Sequence, residues 1–210
     1  MTQAASRCIP DPRSPLLITH GVRDMLRQRI YGLALGWEDL SDHSALRLDV
    51  AMQTAVGVDA PVASAPTLCR LESWSDRKTA WDLHGVLVEQ FIASFKTAPE
   101  ELVLDFDATD NPLFGQQEGR FFHGYYDSYC YCYLPLYVFC GQKLLCAYLR
   151  PSRIDGAKHA AAILKLLGQA TAPAVAAGAY RVSRRLGFLS PAHHQLLRAR
   201  RCALHRGPGA

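Results

Sequence analysis

The chain has 210 residues, of which 49% are hydrophobic and 20% are charged. This composition is typical of a folded globular protein and excludes an intrinsically disordered chain. The longest apolar run, residues 133–149, is interrupted by Pro135 and by residues 141–143, so it predicts two strands and a turn and no membrane-spanning helix. Residues 1–16 lack the basic start and apolar centre of a secretion signal.

The positive charge is confined to the C-terminal segment. The formal net charge is +4, but residues 168–210 contain seven Arg and no Asp, Glu or Lys. Residues 1–167 contain 16 basic and 19 acidic residues, which is a net charge of −3. The overall charge therefore does not indicate a basic nucleic-acid-binding surface on the main body of the chain.

The cysteine pattern favours a reducing cytoplasm over an oxidising compartment. Seven Cys, an odd number, occur at irregular spacing. Cys130 and Cys132 form a C-x-C pair, but no second pair and no suitably spaced His accompany them. We interpret both as strand residues and expect no zinc site.

The N-terminal half predicts a loop followed by a helical unit. Residues 1–19 are Pro-rich and are predicted to form a loop. Apolar residues at three- to four-residue spacing then predict a helix: Val22, Met25, Leu26, Ile30, Leu33 and Leu35. A short helix over residues 44–57 is expected to end at Gly57, and a long helix to run from Ser64 or Thr67 to about Lys96. Residues 20–98 are thus expected to form an all-helical unit.

From Glu101 the pattern changes to a two-residue period. It predicts one strand over residues 101–109, a long second strand over 118–140 and a third over 143–151. A helix should follow over residues 155–167, and its predicted buried residues are Ala161, Ile163, Leu164 and Leu167.

Three antiparallel strands followed by a helix are the opening of an RNase H-like fold, so we predict an α+β or α/β fold with a partial RNase H-like domain at residues 100–167. The next element of such a fold is a parallel strand. Residues 168–210 do not predict one and are expected to be irregular, which would leave the isolated sheet of residues 101–167 marginally stable.

Two acids lie at the end of the first predicted strand. Asp105 and Asp107 should point to the same side of the strand, with Phe106 on the other. A carboxylate at a strand end can bind Mg²⁺, and two-metal phosphoryl chemistry needs at least two further acids nearby. From these residues alone the alternative, that both acids only cap the strand and turn, remains open.

A longer motif resembles a known family. The segments "LVLDFDATD", "GQQEGRFFHGYYD", "LPLYVFCG" and "AYLRPS" closely resemble insertion-sequence transposases of the DDE superfamily, specifically the IS-thirteen-eighty group, over about residues 8–167. The resemblance implies that Asp107 is the first of three metal-binding acids, with Asp105 as second choice. It also implies Mg²⁺ as cofactor and a reaction in which DNA strands are cleaved and transferred at insertion-sequence ends.

The resemblance further implies DNA terminal repeats as partner, self-association or association with intact transposase, no membrane, and a bacterial cytoplasmic location at the nucleoid. Candidate phosphate contacts are Arg23, Arg27, Arg29, Arg70, Gln116, Gln117, Arg120 and His123. The alternative for these residues is that they are solvated surface or loop positions.

The chain departs from the family pattern in three ways. It lacks a helical stretch upstream of residue 8, its "YCYCY" at residues 129–133 is two residues longer, and it lacks both the strand ending "RGDSGF" that carries the second acid and the later Glu. We therefore expect this chain to be catalytically incomplete.

A shifted reading frame accounts for the missing acids. The residues "SRRLGF" at 183–188 can be encoded so that reading one base later gives R-G-D-S-G-F, and the same shift permits R-I-V-F near residues 179–183. We predict a frame disruption near residues 166–168. The alternatives are a non-catalytic DNA-binding or inhibitory fragment, and a programmed frameshift that yields the full enzyme.

Overall fold

The structure is a computed structural model that describes residues 1–109, 111–113, 115–116, 118–123, 128–172, 175 and 179–182. For residues 111, 112, 123, 128–132, 179 and 182 it describes the backbone alone. The chain divides into two compact units, Met1–Val86 and Leu87–Ala210, called here the helical unit and the sheet unit. No helix of the described residues is long and apolar enough to span a membrane.

The helical unit is built from short helices. They are α1 (Thr2–Cys8), a 3₁₀ turn (Pro15–Leu17), α2 (Val22–Ala34), α3 (His43–Leu46), α4 (Val50–Val56), α5 (Ala65–Ser73) and the first part of α6 (Arg77–Ala93). Gly57 ends α4 with φ 87°, a left-handed conformation that glycine adopts without strain, so this predicted helix end is confirmed.

Two predictions for this unit are wrong. The expected loop at residues 1–19 contains α1, because residues 2–8 lack Pro and Gly and include helix-favouring Ala, whereas the prolines begin at Pro10. The expected long helix from Ser64 to Lys96 is two helices, α5 and α6. Asp76 starts the second, since its Oδ1 accepts hydrogen bonds from the Thr79 backbone N–H (2.7 Å) and hydroxyl (2.9 Å).

A buried pair of polar side chains joins α2 to α3. The Gln28 amide pairs with both backbone groups of Ala63: its Nε2 donates to the carbonyl (2.9 Å) and its Oε1 accepts from the N–H (3.0 Å). The second Nε2 hydrogen faces His43 Nδ1 at 3.2 Å. Since Nδ1 must then accept, His43 is neutral and carries its proton on Nε2. Burial is the main cause that lowers the pKa of His43.

The sheet unit contains seven described strands and one further helix. They are β1 (Glu101–Ala108), β2 (Asn111–Pro112), β3 (Phe121–His123), β4 (Ser128–Tyr133), β5 (Leu136–Cys140), β6 (Lys143–Tyr148), α7 (Ala160–Thr171) and β7 (Ala179–Val182). The main sheet has the order β6-β5-β1-β7, in which β1 is antiparallel to β5 and parallel to β7. A second sheet has the order β2-β4-β3.

The long second strand predicted over residues 118–140 is divided into β3, β4 and β5. Pro135 has no backbone N–H and so cannot continue a ladder, and it separates β4 from β5. The two pieces then pair in different sheets, β4 with β2 and β3, and β5 with β1 and β6. The antiparallel pairing of the first, second and third predicted strands is confirmed for β1, β5 and β6.

The prediction that no parallel strand follows the helix is wrong. Helix α7 continues past Leu167 to Thr171, and β7 pairs with β1 in parallel, with Leu102 opposite Tyr180. The Tyr180 hydroxyl lies 3.1 Å from the Gly168 carbonyl and 3.0 Å from Thr171 Oγ1, which ties β7 to the end of α7. Pairing with β7 covers an edge of β1 that would otherwise be exposed. Tyr180 is the one large aromatic residue of this short strand. Residues 183–210 of the expected irregular tail lie outside the described residues.

The core of the sheet unit lies on one face of β1. Leu102, Leu104 and Phe106 are 1–2% exposed and pack with Val138, Leu145, Leu164 and Leu167 in one cluster. Leu164 and Leu167 are therefore buried as predicted. Ile163 packs against the same cluster while partly exposed, and Ala161 is half-buried. The alternation of β1 leaves its other face, which carries Asp105 and Asp107, open.

Candidate functional site

Asp105 and Asp107 lie on the same face of β1, as the two-residue period predicted. The burial along the strand alternates so that Leu104 and Phe106 are inside while Asp107 is exposed and Asp105 is half-buried. The described residues form no ion pair with either carboxylate. An external cation can therefore reach the exposed carboxylate of Asp107, and that of Asp105 lies half-buried on the same face.

Aromatic side chains flank the two acids. Asp105 is opposite Phe139 and Asp107 is opposite Tyr137 in the antiparallel pairing of β1 with β5, and residues opposite each other share a face of the sheet. The rings of Tyr137 and Phe139 are half-buried, with centroids 6.3 Å apart. The acids thus stand beside a low-polarity surface, which strengthens their interaction with a bound cation relative to open water.

Thr109 fixes the end of the strand at Asp107. Its hydroxyl donates to Asp107 Oδ2 at 3.2 Å, and its backbone N–H donates to the Pro135 carbonyl at 3.0 Å. Among the described residues nothing donates to Asp107 Oδ1. One carboxylate oxygen is thus oriented by the protein while the other stays available to a ligand.

The acids present fit only part of a metal site. Carboxylate oxygens are the ligands that Mg²⁺ prefers, and Asp105 and Asp107 supply them on one face. The described part of the chain contains no group of three or more His, Cys, Asp or Glu that could hold a metal ion. A two-metal centre needs more acids than this pair, so the described residues do not complete one.

Two of the four predicted phosphate contacts in the helical unit are used inside it. Arg29 donates to the Glu72 carboxylate (2.8 Å) and the Glu38 carbonyl (2.8 Å). Arg27 donates to the Val56 carbonyl at 3.1 Å, and its Nε is buried. Both residues therefore hold helices and loops together, a role for which a guanidinium with several donors is well suited.

The other two arginines lie at the surface. Arg23 is 47% exposed and pairs with its neighbour Asp24 at 3.1 Å. Arg70 is exposed and donates to Thr67 Oγ1 at 3.3 Å. Exposed contacts of this kind are worth little and are readily exchanged for a phosphate, so these two remain the predicted DNA contacts of the helical unit.

The predicted contacts around the second strand are only partly described. Gln116 and Arg120 are exposed, and Arg120 directly precedes β3. His123 ends β3, but its side chain lies outside the described residues, as do Gln117 and Asp110. Cys130 and Cys132 lie in β4, as expected of strand residues.

Arg150 is a buried residue that the sequence did not single out as a candidate functional residue. It is 1% exposed, and it donates to the carbonyls of Leu134 (2.9 Å), Gly156 (3.0 Å) and Lys158 (2.6 Å). Burial lowers its pKa. The available signal was an arginine at the end of a largely apolar strand, directly before a proline, in the motif "AYLRPS".

Comparison with known proteins finds one relationship. No curated protein and no solved structure matches the chain. The family described as transposase DDE domain group 1 matches residues 1–202, which is nearly the whole chain and includes both units. The chain belongs to the transposase DDE domain group 1 family.

Proposed function

We propose that the reaction to which this transposase chain is adapted is the metal-dependent cleavage and transfer of DNA strands at insertion-sequence ends, with Asp107 as the first metal-binding acid. Membership of the family gives transposase function, DNA as partner and a divalent metal ion as the general requirement. The observation that carries the residue assignment is the position of Asp107, exposed at the end of β1 on the face opposite the core.

The sheet topology supports an RNase H-like catalytic domain. In the order β6-β5-β1-β7 the first strand lies between an antiparallel and a parallel neighbour, and α7 connects β6 to β7. This is the arrangement expected for the first four strands of such a domain. It places Asp107 on an interior strand: the pairing with β7 holds the start of β1 at residues 101–104, and the pairing with β5 holds Asp107 itself opposite Tyr137.

Mg²⁺ is the proposed ion, with Asp107 and secondarily Asp105 as its protein ligands. Both are hard oxygen donors on one face of one strand. The described residues supply these two carboxylates and do not complete a two-metal site.

We propose further that this chain is catalytically incomplete because of a frame disruption near residues 166–168, in a member of the IS-thirteen-eighty group. Residues 168–210 contain no Asp or Glu, although the shifted frame permits R-G-D-S-G-F. Strand β7 does not contradict this proposal. Residues 179–182 are A-Y-R-V in the chain, and the shifted reading R-I-V-F also favours a strand at this place.

A second candidate function is a non-catalytic fragment that binds transposon ends or pairs with intact transposase and inhibits it. The surface positions of Arg23 and Arg70 favour DNA binding by the helical unit. Such a fragment would need no complete metal site, and the seven Arg after residue 167 would add weak attraction to polyanions.

Duplexes carrying the terminal repeats that flank the coding sequence test both functions. We expect the chain to shift these duplexes and not to cleave them with Mg²⁺ or Mn²⁺, and a scrambled duplex serves as control. A chain whose frame is restored after residue 167 should gain cleavage, and Asp107→Ala should abolish it.

Asp59→Ala, an exposed acid of the helical unit, is the matched control for the restored chain. Cleavage by the restored chain that survives Asp107→Ala would contradict the assignment of Asp107. Cleavage by the present chain would contradict its catalytic incompleteness.

A further inference from the structure

We propose that Arg150 is the positioning residue for Asp107, acting through hydrogen bonds that are connected by the Leu134–Pro135 peptide link. This inference rests on the proposed role of Asp107 as a metal-binding acid. Arg150 is among the largest fully buried side chains of the described residues, and no ion pair to a carboxylate is formed there. A buried guanidinium is costly to desolvate, so its retention calls for a specific reason.

The first part of the path joins Arg150 to the segment between β4 and β5. Its Nε donates to the Leu134 carbonyl at 2.9 Å, and the Leu134 backbone N–H donates back to the Arg150 carbonyl at 2.8 Å. These reciprocal bonds fix Leu134, which is itself 2% exposed. The position of the next residue, Pro135, follows from this anchor because its φ is restricted.

The second part of the path runs from Pro135 to the acid. The Pro135 carbonyl accepts the Thr109 backbone N–H at 3.0 Å, and the Thr109 hydroxyl donates to Asp107 Oδ2 at 3.2 Å. Thr109 lies one residue beyond the end of β1, and its bond to Pro135 continues the register of β1 with β5 at the point where the proline, which has no N–H, cannot return a second bond. Displacement of Leu134 and Pro135 would therefore release Thr109 and with it the orientation of the carboxylate.

Arg150 also ties this segment to the approach to α7. Its Nη1 donates to the carbonyls of Gly156 (3.0 Å) and Lys158 (2.6 Å), two residues that precede α7. Only a planar guanidinium with several donors can serve carbonyls in both directions, and a lysine ammonium lacks this fork. The Nη2 atom is buried and has no partner among the described residues, so the hydrogen bonds that the path uses come from Nε and Nη1.

Hydrogen exchange of the full chain tests the path without any metal. The readout is the exchange rate of the Thr109 amide divided by the mean rate of the β1 amides. Arg150→Met and Arg150→Lys should each raise this ratio by about tenfold, as expected when an anchored hydrogen bond is lost. Leu164→Ala, a core change in the same unit, should raise all these rates together and leave the ratio unchanged.

An unchanged ratio in Arg150→Lys would overturn the inference, and this variant keeps the charge if Arg150→Met does not fold. A ratio that rises equally in Leu164→Ala would overturn it as well, because Thr109 would then respond to any loss of stability.

Paramagnetic broadening by Mn²⁺ gives a second readout and separates the two proposals. In the unchanged chain we expect broadening centred on Asp107, and Arg150→Lys should weaken it more than Leu164→Ala does. Equal broadening in both variants would overturn the role of Arg150. No broadening near Asp107 in the unchanged chain would remove the metal role of Asp107, while the exchange ratio would still decide whether Arg150 positions it.

Discussion

The helical unit and the sheet unit each bury a polar side chain that joins separate segments, but this side chain is neutral in the helical unit and charged in the sheet unit. In the helical unit Gln28 is neutral and pairs with a neutral His43 and with both backbone groups of Ala63. In the sheet unit Arg150 is a cation whose partners among the described residues are backbone carbonyls. A neutral amide satisfies both donors and acceptors at little desolvation cost, whereas a buried guanidinium carries a large cost.

The difference indicates where geometry is constrained by function. The neutral pair of the helical unit lies among packed helices and serves their packing. The charged residue of the sheet unit lies at the start of a hydrogen-bonded path to Asp107. The predictions below test this contrast from the largest expected effect to the smallest.

Removal of the buried cation should have the largest effect on stability. Arg150→Met leaves the carbonyls of Leu134, Gly156 and Lys158 without this donor. We expect a loss of about 3 kcal/mol in the free energy of unfolding of the sheet unit. Hydrogen exchange of the most protected β1 and β5 amides measures it. A loss below about 1 kcal/mol would show that the guanidinium is replaceable by packing alone.

Steric crowding of the buried Gln28–His43 pair should have the next largest effect on stability. A Cβ added at Gly32 would lie 2.7 Å from His43 Cε1 and 3.0 Å from Nε2. Gly32→Ala should therefore destabilise the helical unit by about 2 kcal/mol. Urea unfolding followed by Trp fluorescence reports on this unit, since Trp37, Trp74 and Trp81 all belong to it.

Gly85 provides the matched control for Gly32. It lies inside α6, and a Cβ there would meet nothing within 4 Å. Gly85→Ala should stabilise the chain by up to about 1 kcal/mol, because alanine favours a helix over glycine. If both variants changed stability in the same direction, contact with His43 would not be the cause of the effect at Gly32.

A smaller effect is expected where β7 joins the sheet. Tyr180→Phe removes the hydroxyl that contacts Gly168 and Thr171 and should cost about 1 kcal/mol in the sheet unit. Tyr133→Phe is the control, because Tyr133 is 45% exposed. Equal stability of both variants would argue against β7 as part of the folded sheet.

The smallest expected effect is a pH dependence of the helical unit. Burial lowers the pKa of His43, with a further contribution from Arg29, and the carboxylates of Asp42 and Glu72 act in the opposite direction. Since the folded-state pKa lies below the unfolded-state value near 6.5, the unfolded chain binds more protons in this range. Stability is therefore complete above about pH 6.5 and is lost as the pH falls through the folded-state pKa.

A variant isolates the share of His43 in that dependence. Burial also lowers the pKa of His20 in the same unit, so some pH dependence should remain after His43→Gln. Trp fluorescence unfolding between pH 7 and pH 5 should show a flatter profile for His43→Gln than for the unchanged chain. Identical profiles would mean that His43 does not titrate on unfolding.

Local periodicity predicted the elements that depend on nearby residues. Helix α2, the end of α4 at Gly57, strand β1 and the shared face of Asp105 and Asp107 all follow from spacing within a short window. The division of α5 from α6 also had a local signal, the capping Asp76, but the apolar pattern on both sides concealed it.

The features that sequence reasoning missed depend on distant partners. Strand β7 forms because the edge of β1, some 80 residues earlier, offers a ladder to the segment 179–182, and its composition alone did not indicate this. Arg150 is buried because its partners Leu134, Gly156 and Lys158 surround it in space. Most arginines lie at the protein surface, so the sequence alone does not indicate that this one is buried. Its role becomes visible only in the folded structure.

The central claim is that this transposase carries its first acid at Asp107 and has lost the others to a frame disruption. The most direct test is the nucleotide sequence through codons 160–210 and well beyond. The account predicts that the frame one base downstream stays open and encodes R-G-D-S-G-F beneath residues 183–188, followed by a later Glu. A closed frame, or one unlike the family, would contradict it, and the seven Arg of the tail would then become the leading candidates for DNA contact.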